Sequence, residues 1–275
     1  MITSTSNPTI KAMRALYQRK ARAASGLCLL EGIRLVGEAA RSGCIERLVV
    51  APELLRSPFA DELVRSQAAA GVPLVQVSAA VFSHLALKDG PQGLAAVAHQ
   101  VWSPLEEVVL APGIGWVALV APADPGNVGT IIRTVEAVGA AGVILVGAAA
   151  DPYDPVALRA AMGATFAVRL VQATWPALQA WCAVRGAPLV GTSDQAASHF
   201  QQVAYAQPLV LLMGSERQGL TDEQQACCQH LVRMPMLGRG DSLNLAVATG
   251  VMLYELLRQR GGAREGRTSE TPPAP

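Results

Sequence analysis

Charge is scarce in this chain. Asp, Glu, Lys and Arg make up only 16% of its 275 residues, whereas apolar residues make up 51%. That balance excludes a disordered polymer and points to a folded chain with a sizeable core, divided into one large domain or two medium ones. No apolar run reaches the ~18 residues of a membrane span. Residues 1–20 mix polar, basic and apolar side chains without the apolar centre of a signal peptide. A cytoplasmic protein with no membrane association is therefore expected. The five cysteines (Cys28, Cys44, Cys182, Cys227 and Cys228) are scattered and odd in number. They match neither a disulfide framework nor a metal-ligand spacing, so reduced thiols and no bound metal are the expectation. His84, His99, His199 and His230 are equally dispersed, and none is assigned a catalytic role. The glycine fingerprints of dinucleotide sites and of the Walker phosphate loop are both absent, and no internal repeat is visible.

The net charge of +1 hides a gradient. Residues 1–50 hold eight basic and three acidic residues, which leaves a net −4 on the remainder. A basic end suits an anionic partner such as a phosphate backbone, or simply a solvated helix face. Residues 10–24 read as one basic amphipathic helix. Strands at 27–30, 45–50, 74–77 and 94–98, with helices at 33–40 and 59–70, complete a small α/β unit, and residues 101–105 read as a linker. From Trp116 onward, apolar strands (117–121, 143–146, 167–171, 189–191, 209–213, 231–234) alternate with helices (129–138, 155–162, 176–185, 222–228, 243–260). That alternation predicts a parallel sheet with helices on both faces. The segment 261–275 has no apolar periodicity and is expected to be disordered.

Three loops follow strands directly, where ligands bind in parallel α/β sheets. The first is Asp124-Pro125-Gly126-Asn127-Val128-Gly129, with Arg133 in the helix beyond. Its glycines suggest a tight turn, and an arginine on an apolar helix suggests an anion or a structural carboxylate. The second is Gly214-Ser215-Glu216-Arg217-Gln218-Gly219-Leu220, where Glu216 is either a functional carboxylate or a cap for the helix near Thr221. The third runs from Pro235 through Gly238, Gly240 and Asp241 to Ser242-Leu243-Asn244. Ser242 stands where an N-cap is expected, and a glycine-rich loop entering a helix exposes N–H groups that can hold a ligand.

In order and spacing, Asn127-x-Gly129-x-x-x-Arg133, Gly214-x-Glu216-x-x-Gly219-Leu220 and Pro235-Met236 through Ser242-Leu243-Asn244, ending in Leu253-Tyr254-Glu255, resemble the three motifs of the SpoU (TrmH-like) RNA 2′-O-ribose methyltransferases of the SPOUT superfamily. Asp151-Pro152-Tyr153-Asp154-Pro155 is similar to the family's intermediate segment. Ser6-Asn7-Pro8 through Lys11 and Leu30-Glu31-Gly32-Ile33-Arg34 resemble its small L30e-like substrate-binding domain. The resemblance implies an L30e-like domain over 1–103, an α/β methyltransferase domain over 104–260 ending in a trefoil knot, and the tail 261–275. It further implies S-adenosylmethionine as cofactor, bound by Met213, Gly214, Gly219, Met234, Met236, Leu243 and Asn244 in the threaded loops 213–220 and 234–245. A homodimer through the knot region is implied as well, with one subunit's arginine facing the other's cofactor. The apolar face of 245–257 suits that interface, and core packing explains it equally well. Ala161 and Ala246 stand where many members have Ser.

The implied reaction is methyl transfer to a ribose 2′-hydroxyl, with Arg133, Asn127, Glu216, Ser242 and Asn244 as the catalytic set. Family proposals make the arginine at position 133 the proton acceptor. Because a guanidinium stays protonated at working pH, the preferred expectation is that Arg133 grips the phosphate beside the target ribose and stabilises the emerging alkoxide. Asn127 and Ser242 would position ribose and loop, Asn244 would orient Arg133 or the nucleotide, and Glu216 would hold the loops together. Arg14, Arg19, Lys20, Arg22 and Arg34 form the expected RNA surface. Ribosomal RNA is favoured over transfer RNA because the front segment resembles that of ribosomal-RNA members. The alternatives are a transfer-RNA ribose methyltransferase, a base-modifying relative and a non-catalytic knotted RNA-binding or assembly factor.

Overall fold

The computed structural model describes residues 1–87 and 89–265, which divide into two compact units. The first comprises Met1–Val101 and Asp151–Ala167. Its elements are α1 (Pro8–Ala15), α2 (Arg19–Ser25), β1 (Leu27–Glu31), α3 (Ile33–Arg41), β2 (Ile45–Val50), α4 (Pro58–Ala69), β3 (Leu74–Gln76), α5 (Ala79–Leu85) and β4 (Leu94–His99). The segment Asp151–Ala167 adds the helix Pro155–Ala161, α7 in chain order. The sheet order is β1-β4-β2-β3, with β4 antiparallel to both neighbours and β3 parallel to β2. Ile10, Met13 and Leu16 pack with Val49, Val81, Phe82, Leu85 and Val97 to form its core.

The expected single helix over 10–24 is two helices, because the chain turns at Leu16–Gln18. Asn7 caps the first, its side chain accepting from Thr9 N at 2.9 Å, and Pro8 follows at the first helical position. The turn carries Arg22 inward. Its guanidinium donates to Asp151 Oδ2 at 2.7 Å, to Asp154 Oδ2 at 3.0 Å, and to the carbonyls of Leu16 and Tyr17 at 3.0 and 2.9 Å. Only 1% of the residue is exposed. Arg22 is therefore a buried clamp and not part of an RNA surface, which corrects the expectation from sequence. Arg14, Arg19, Lys20 and Arg34 are exposed.

The second unit comprises Trp102–Ala150 and the chain from Val168 onward. It contains β5 (Gly115–Val120), α6 (Pro125–Ala137), β6 (Gly142–Val146), β7 (Arg169–Ala173), α8 (Trp175–Arg185), β8 (Leu189–Thr192), β9 (Ser198–His199), β10 (Leu209–Met213), α9 (Asp222–Ala226), β11 (His230–Arg233) and α10 (Leu245–Glu265). All seven strands are parallel, in the order β7-β6-β5-β10-β8-β11-β9. β6 and β10 are buried throughout, as continuous apolar strands covered on both faces must be. Trp116, Ile144, Val171, Leu178, Trp181, Val210 and Leu212 lie in the core. α10 reaches five residues past Arg260, into the segment expected to be disordered. Residues 266–275 of that segment lie outside the described residues. No described helix is long and apolar enough to cross a membrane.

Candidate active site

Register brings the strand ends to one level. Leu119 of β5 pairs with Met213 of β10, Leu212 with Gly191 of β8, and Thr192 of β8 with Val232 of β11. The chain leaves each strand on the same side of the sheet, and the loops after β8, β10 and β11 gather around one cavity of about 1150 Å³, while the loop after β5, Asn127 included, contributes no lining residue and is tied to it through Glu216 and Asn244. Its wall includes Met213, Gly214, Glu216, Gly219, Leu220, Met234, Met236, Ser242, Leu243, Asn244 and Leu245. Thr192, Ser193, Asp194, Gln195 and His199 also line it. The sequence reading missed these five because the β8–β9 connection is polar and irregular, and β9 is only two residues long. Position after a strand was the one signal that could have flagged them.

The second loop is tightly folded. Ser215 N donates to Gly219 O at 3.1 Å, and Gly219 N donates back to Ser215 O at 3.0 Å. Gly219 closes this turn with φ +65°, a conformation that favours glycine. A Cβ placed on Gly214 would lie 2.2 Å from the carbonyl carbon of Gly219, so backbone alone fits there. Thr221 and Gln224 cap α9 by a capping box, which leaves Glu216 free for another use.

That use links all three loops. Glu216 Oε2 accepts from Ala123 N at 3.1 Å, and its Oε1 accepts from Asn127 Nδ2 at 3.3 Å. Asn127 Oδ1 accepts in turn from Asn244 Nδ2 at 2.9 Å. Asn244 Oδ1 then accepts from Ala246 N at 2.9 Å and Val247 N at 3.3 Å, capping α10. Burial raises the Glu216 pKa, but the Ala123 N–H, with further backbone donors and the Asn127 amide, outweighs it and holds the carboxyl below its ordinary range.

Several expectations change. The N-cap of α10 is Asn244 and not Ser242, whose hydroxyl donates to Asp241 at 3.1 Å. The bonds of Asn244 go to Asn127 and the helix cap, and none goes to Arg133. α6 starts at Pro125, so Gly126 and Gly129 are helical and form no turn. Asp124 at the cap, accepting from Asn127 N at 2.6 Å, and Pro125 beside it were the sequence signals for that start. Arg133 points outward from α6, is exposed, and does not line the cavity of its own chain. Ala161 and Ala246 are buried and do not line the cavity either. Among the described residues no cluster of three or more His, Cys, Asp or Glu could hold a metal.

α10 divides its apolar residues between two faces. Leu245, Met252, Leu253 and Leu256 are buried, while Val247, Val251 and Tyr254 are 53%, 37% and 58% exposed. Within the unit α10 packs on α6, with Gly250 against the Thr134 methyl group.

Comparison with known proteins places these features. Residues 116–254 match the model of the SpoU rRNA Methylase family, and residues 7–96 match that of the MRM3-like substrate binding domain. The 23S rRNA (uridine(2479)-2′-O)-methyltransferase of Streptomyces viridochromogenes is 33% identical, over 94% of this chain and 90% of its own length. The 23S rRNA (guanosine(2553)-2′-O)-methyltransferase RlmP of Bacillus subtilis (strain 168) is 29% identical, over 93% and 98%. The AdoMet-bound rRNA methyltransferase structure from Sinorhizobium meliloti superposes with a TM-score of 0.87 at 37% identity, covering 94% of this chain and 97% of that one. This chain belongs to the SpoU rRNA methylase family.

Proposed function

We propose that this chain is an S-adenosylmethionine-dependent methyltransferase that modifies a ribose 2′-hydroxyl of ribosomal RNA, as a cytoplasmic homodimer. The observation that carries the reading is the bonded series Glu216–Asn127–Asn244, which ties the loop after β5 to two loops that wall one cavity. The two related enzymes are named for a uridine and for a guanosine, yet both names specify the 2′-oxygen. A site addressed to the sugar and its phosphates suits both.

The cavity fits the cofactor on its own construction. Peptide groups form the wall at Gly214, where no side chain fits, and Met213, Leu220 and Leu245 supply buried apolar surface for an adenine. Met234, Met236 and Leu243 lie at the rim and are partly exposed. When bound, S-adenosylmethionine supplies a methyl group on a sulfonium, which is already a good leaving centre. The protein's work is then alignment and charge stabilisation. Glu216 locks the loops, Asn127 and Asn244 present amides towards the ribose, and Ser242 lines the approach.

Arg133 has no role inside its own cavity, and dimerisation provides one. Pairing through the exposed face of α10 (Val247, Val251, Tyr254) brings Arg133 of each subunit to the cavity of the other. There its guanidinium holds the phosphate beside the target ribose and stabilises charge on the 2′-oxygen as that oxygen takes the methyl group and its proton passes to solvent. A trefoil knot through residues 213–220 and 234–245 accompanies this arrangement. It is supported by the insertion of β10 between the earlier strands β5 and β8, and by the return of α10 onto α6. The first unit docks the RNA through exposed Arg14, Arg19, Lys20 and Arg34.

The test is methyl transfer from labelled S-adenosylmethionine to unmodified ribosomal RNA, followed by nucleoside analysis. Label in a 2′-O-methyl nucleoside is the expected result. Label in a base, or cofactor binding without transfer to any ribosomal or transfer RNA, would refute the reading.

A further inference from the structure

The first unit holds a cleft of about 500 Å³ between α1 and α5 that no part of the methyl-transfer site uses. Ala15, the half-exposed Leu87 and Tyr17 give it apolar surface, beside the polar Thr5 and Gln18. Tyr17 is anchored by its hydroxyl, which donates to Leu85 O at 2.8 Å. Burial, with Glu31 nearby, raises the phenol's pKa, so the ring stays neutral and its hydroxyl stays a donor. The ring face is therefore a rigid wall that needs no polar partner from a ligand.

The rim is cationic. Its two cations are Lys11 and Arg14 of α1, which line the cleft with His84 of α5, and all three are exposed. Among the described residues, neither Lys11 nor Arg14 has a carboxylate in ion-pairing range. Arg14 Nη1 lies 2.6 Å from His84 Nε2. A guanidinium only donates, so that ring nitrogen is the acceptor. The bond holds the guanidinium at the cleft mouth without neutralising it.

An aromatic wall under a rim of cations suits a base on an apolar surface with its phosphate outside. The volume falls in the ~300–1,000 Å³ range of small-ligand pockets. We propose that this cleft captures one unpaired nucleotide of the RNA substrate, with the base against Tyr17 and Leu87 and the flanking phosphates on Lys11 and Arg14. This deepens the reading of the chain as an RNA methyltransferase and gives its first unit a defined task.

The test uses the full chain and a short labelled oligouridylate, with affinity followed against salt. Removing one cation that neutralises a phosphate should lower the salt slope by about 0.7, so Lys11→Gln with Arg14→Gln should lower it by about 1.4. Leu87→Asp, at an exposed position, should weaken binding on the order of tenfold by blocking the base. Affinity for S-adenosylmethionine should be unaltered in all of these variants. Unchanged affinity and salt slope in both the double variant and Leu87→Asp would overturn the proposal. So would displacement of the oligomer by uridine monophosphate at equal concentration, which would mark a site for free nucleotides. If the parent protein binds the oligomer through the cleft yet methylates no RNA, the cleft stands and the methyltransferase reading falls.

Discussion

Replacing Arg22 with Ala should destabilise the first unit severely. The guanidinium is 1% exposed and makes four hydrogen bonds, two to carboxylates and two to backbone carbonyls. Its carboxylate partners differ in setting, since the side chain of Asp151 is 11% exposed and that of Asp154 is 28%. Asp154 can recover water when the pair is broken, whereas Asp151 recovers little. Removing one partner of a buried pair costs about 3–5 kcal/mol, and the partial exposure of Asp154 favours the lower half of that range. In a unit of this size a loss of about 3 kcal/mol should lower the melting temperature by roughly 10 °C. Arg22→Lys keeps a charge but loses the planar fork that reaches both carboxylates, so its cost should be intermediate. Urea unfolding gives the free energies. Hydrogen exchange at Tyr153 gives the local effect, because the Tyr153 N–H donates to the other oxygen of Asp151 at 2.8 Å. An Arg22→Ala protein within about 0.5 kcal/mol of the parent, the range of ordinary surface substitutions, would refute the clamp and return Arg22 to the RNA surface.

The other site predictions are more local. Glu216→Gln should slow methyl transfer at least tenfold, about 1.4 kcal/mol, while leaving the melting temperature nearly unchanged, because the residue is exposed; equal rates for variant and parent would sink the loop-lock role. Since the folded state lowers the Glu216 pKa, its stabilising contribution is complete above the ordinary carboxylate pKa and fades as pH falls through the lowered value. Any small stability difference between Glu216→Gln and the parent should therefore be greatest at neutral pH and vanish in acid, as read by urea titration at several pH values. Gly214→Ala should abolish S-adenosylmethionine binding in calorimetry, because its Cβ would sit 2.2 Å from the Gly219 backbone; retained affinity would mean that this wall is not the cofactor's. Tyr254→Glu should yield folded monomers in light scattering together with lost turnover, and an intact dimer would exclude the exposed face of α10 as the interface.

Strand positions in the second unit were legible because buried parallel strands read as continuous apolar runs, and β10 was located at its observed bounds, Leu209–Met213. The three loops were legible for the same reason, since each begins where such a run stops. Helix starts were less legible. At α6 the glycines suggested a turn, yet Asp124 and Pro125 form a strong N-terminal signal that overrides the modest cost of helical glycine. At α10, Ser242 and Asn244 are both good caps, and which one acts depends on a tertiary partner, Asn127, 117 positions away. Arg22 was illegible as a clamp because its partners lie 129 and 132 residues along the chain. Nothing in a local basic pattern distinguishes a guanidinium facing water from one facing a distant Asp. α5 was missed altogether: the stretch Ala79–Leu85 is short, and its cap Ser78 directly follows a strand.

The polarity of the active-site series follows from its two ends. An ionised carboxylate can only accept, so Glu216 obliges Asn127 to turn its NH₂ towards it and its carbonyl oxygen away. Asn244 must then offer its own NH₂ to that oxygen, which leaves its carbonyl for the N–H groups at the start of α10. The helix end demands an acceptor at the same place. Both ends thus impose the same direction, and neither amide can flip without leaving an unmet group. The remaining bonding capacity is what the site offers a ligand. Each NH₂ has used one of its two hydrogens, so Asn127 and Asn244 each retain one donor. The Asn244 oxygen already accepts twice, and Asn127 retains one acceptor position. A surplus of fixed donors suits the oxygens of a ribose and its phosphate, including a 2′-oxygen gaining negative charge. Glu216 need not touch the substrate for this: its charge sets the direction of every amide between it and the helix.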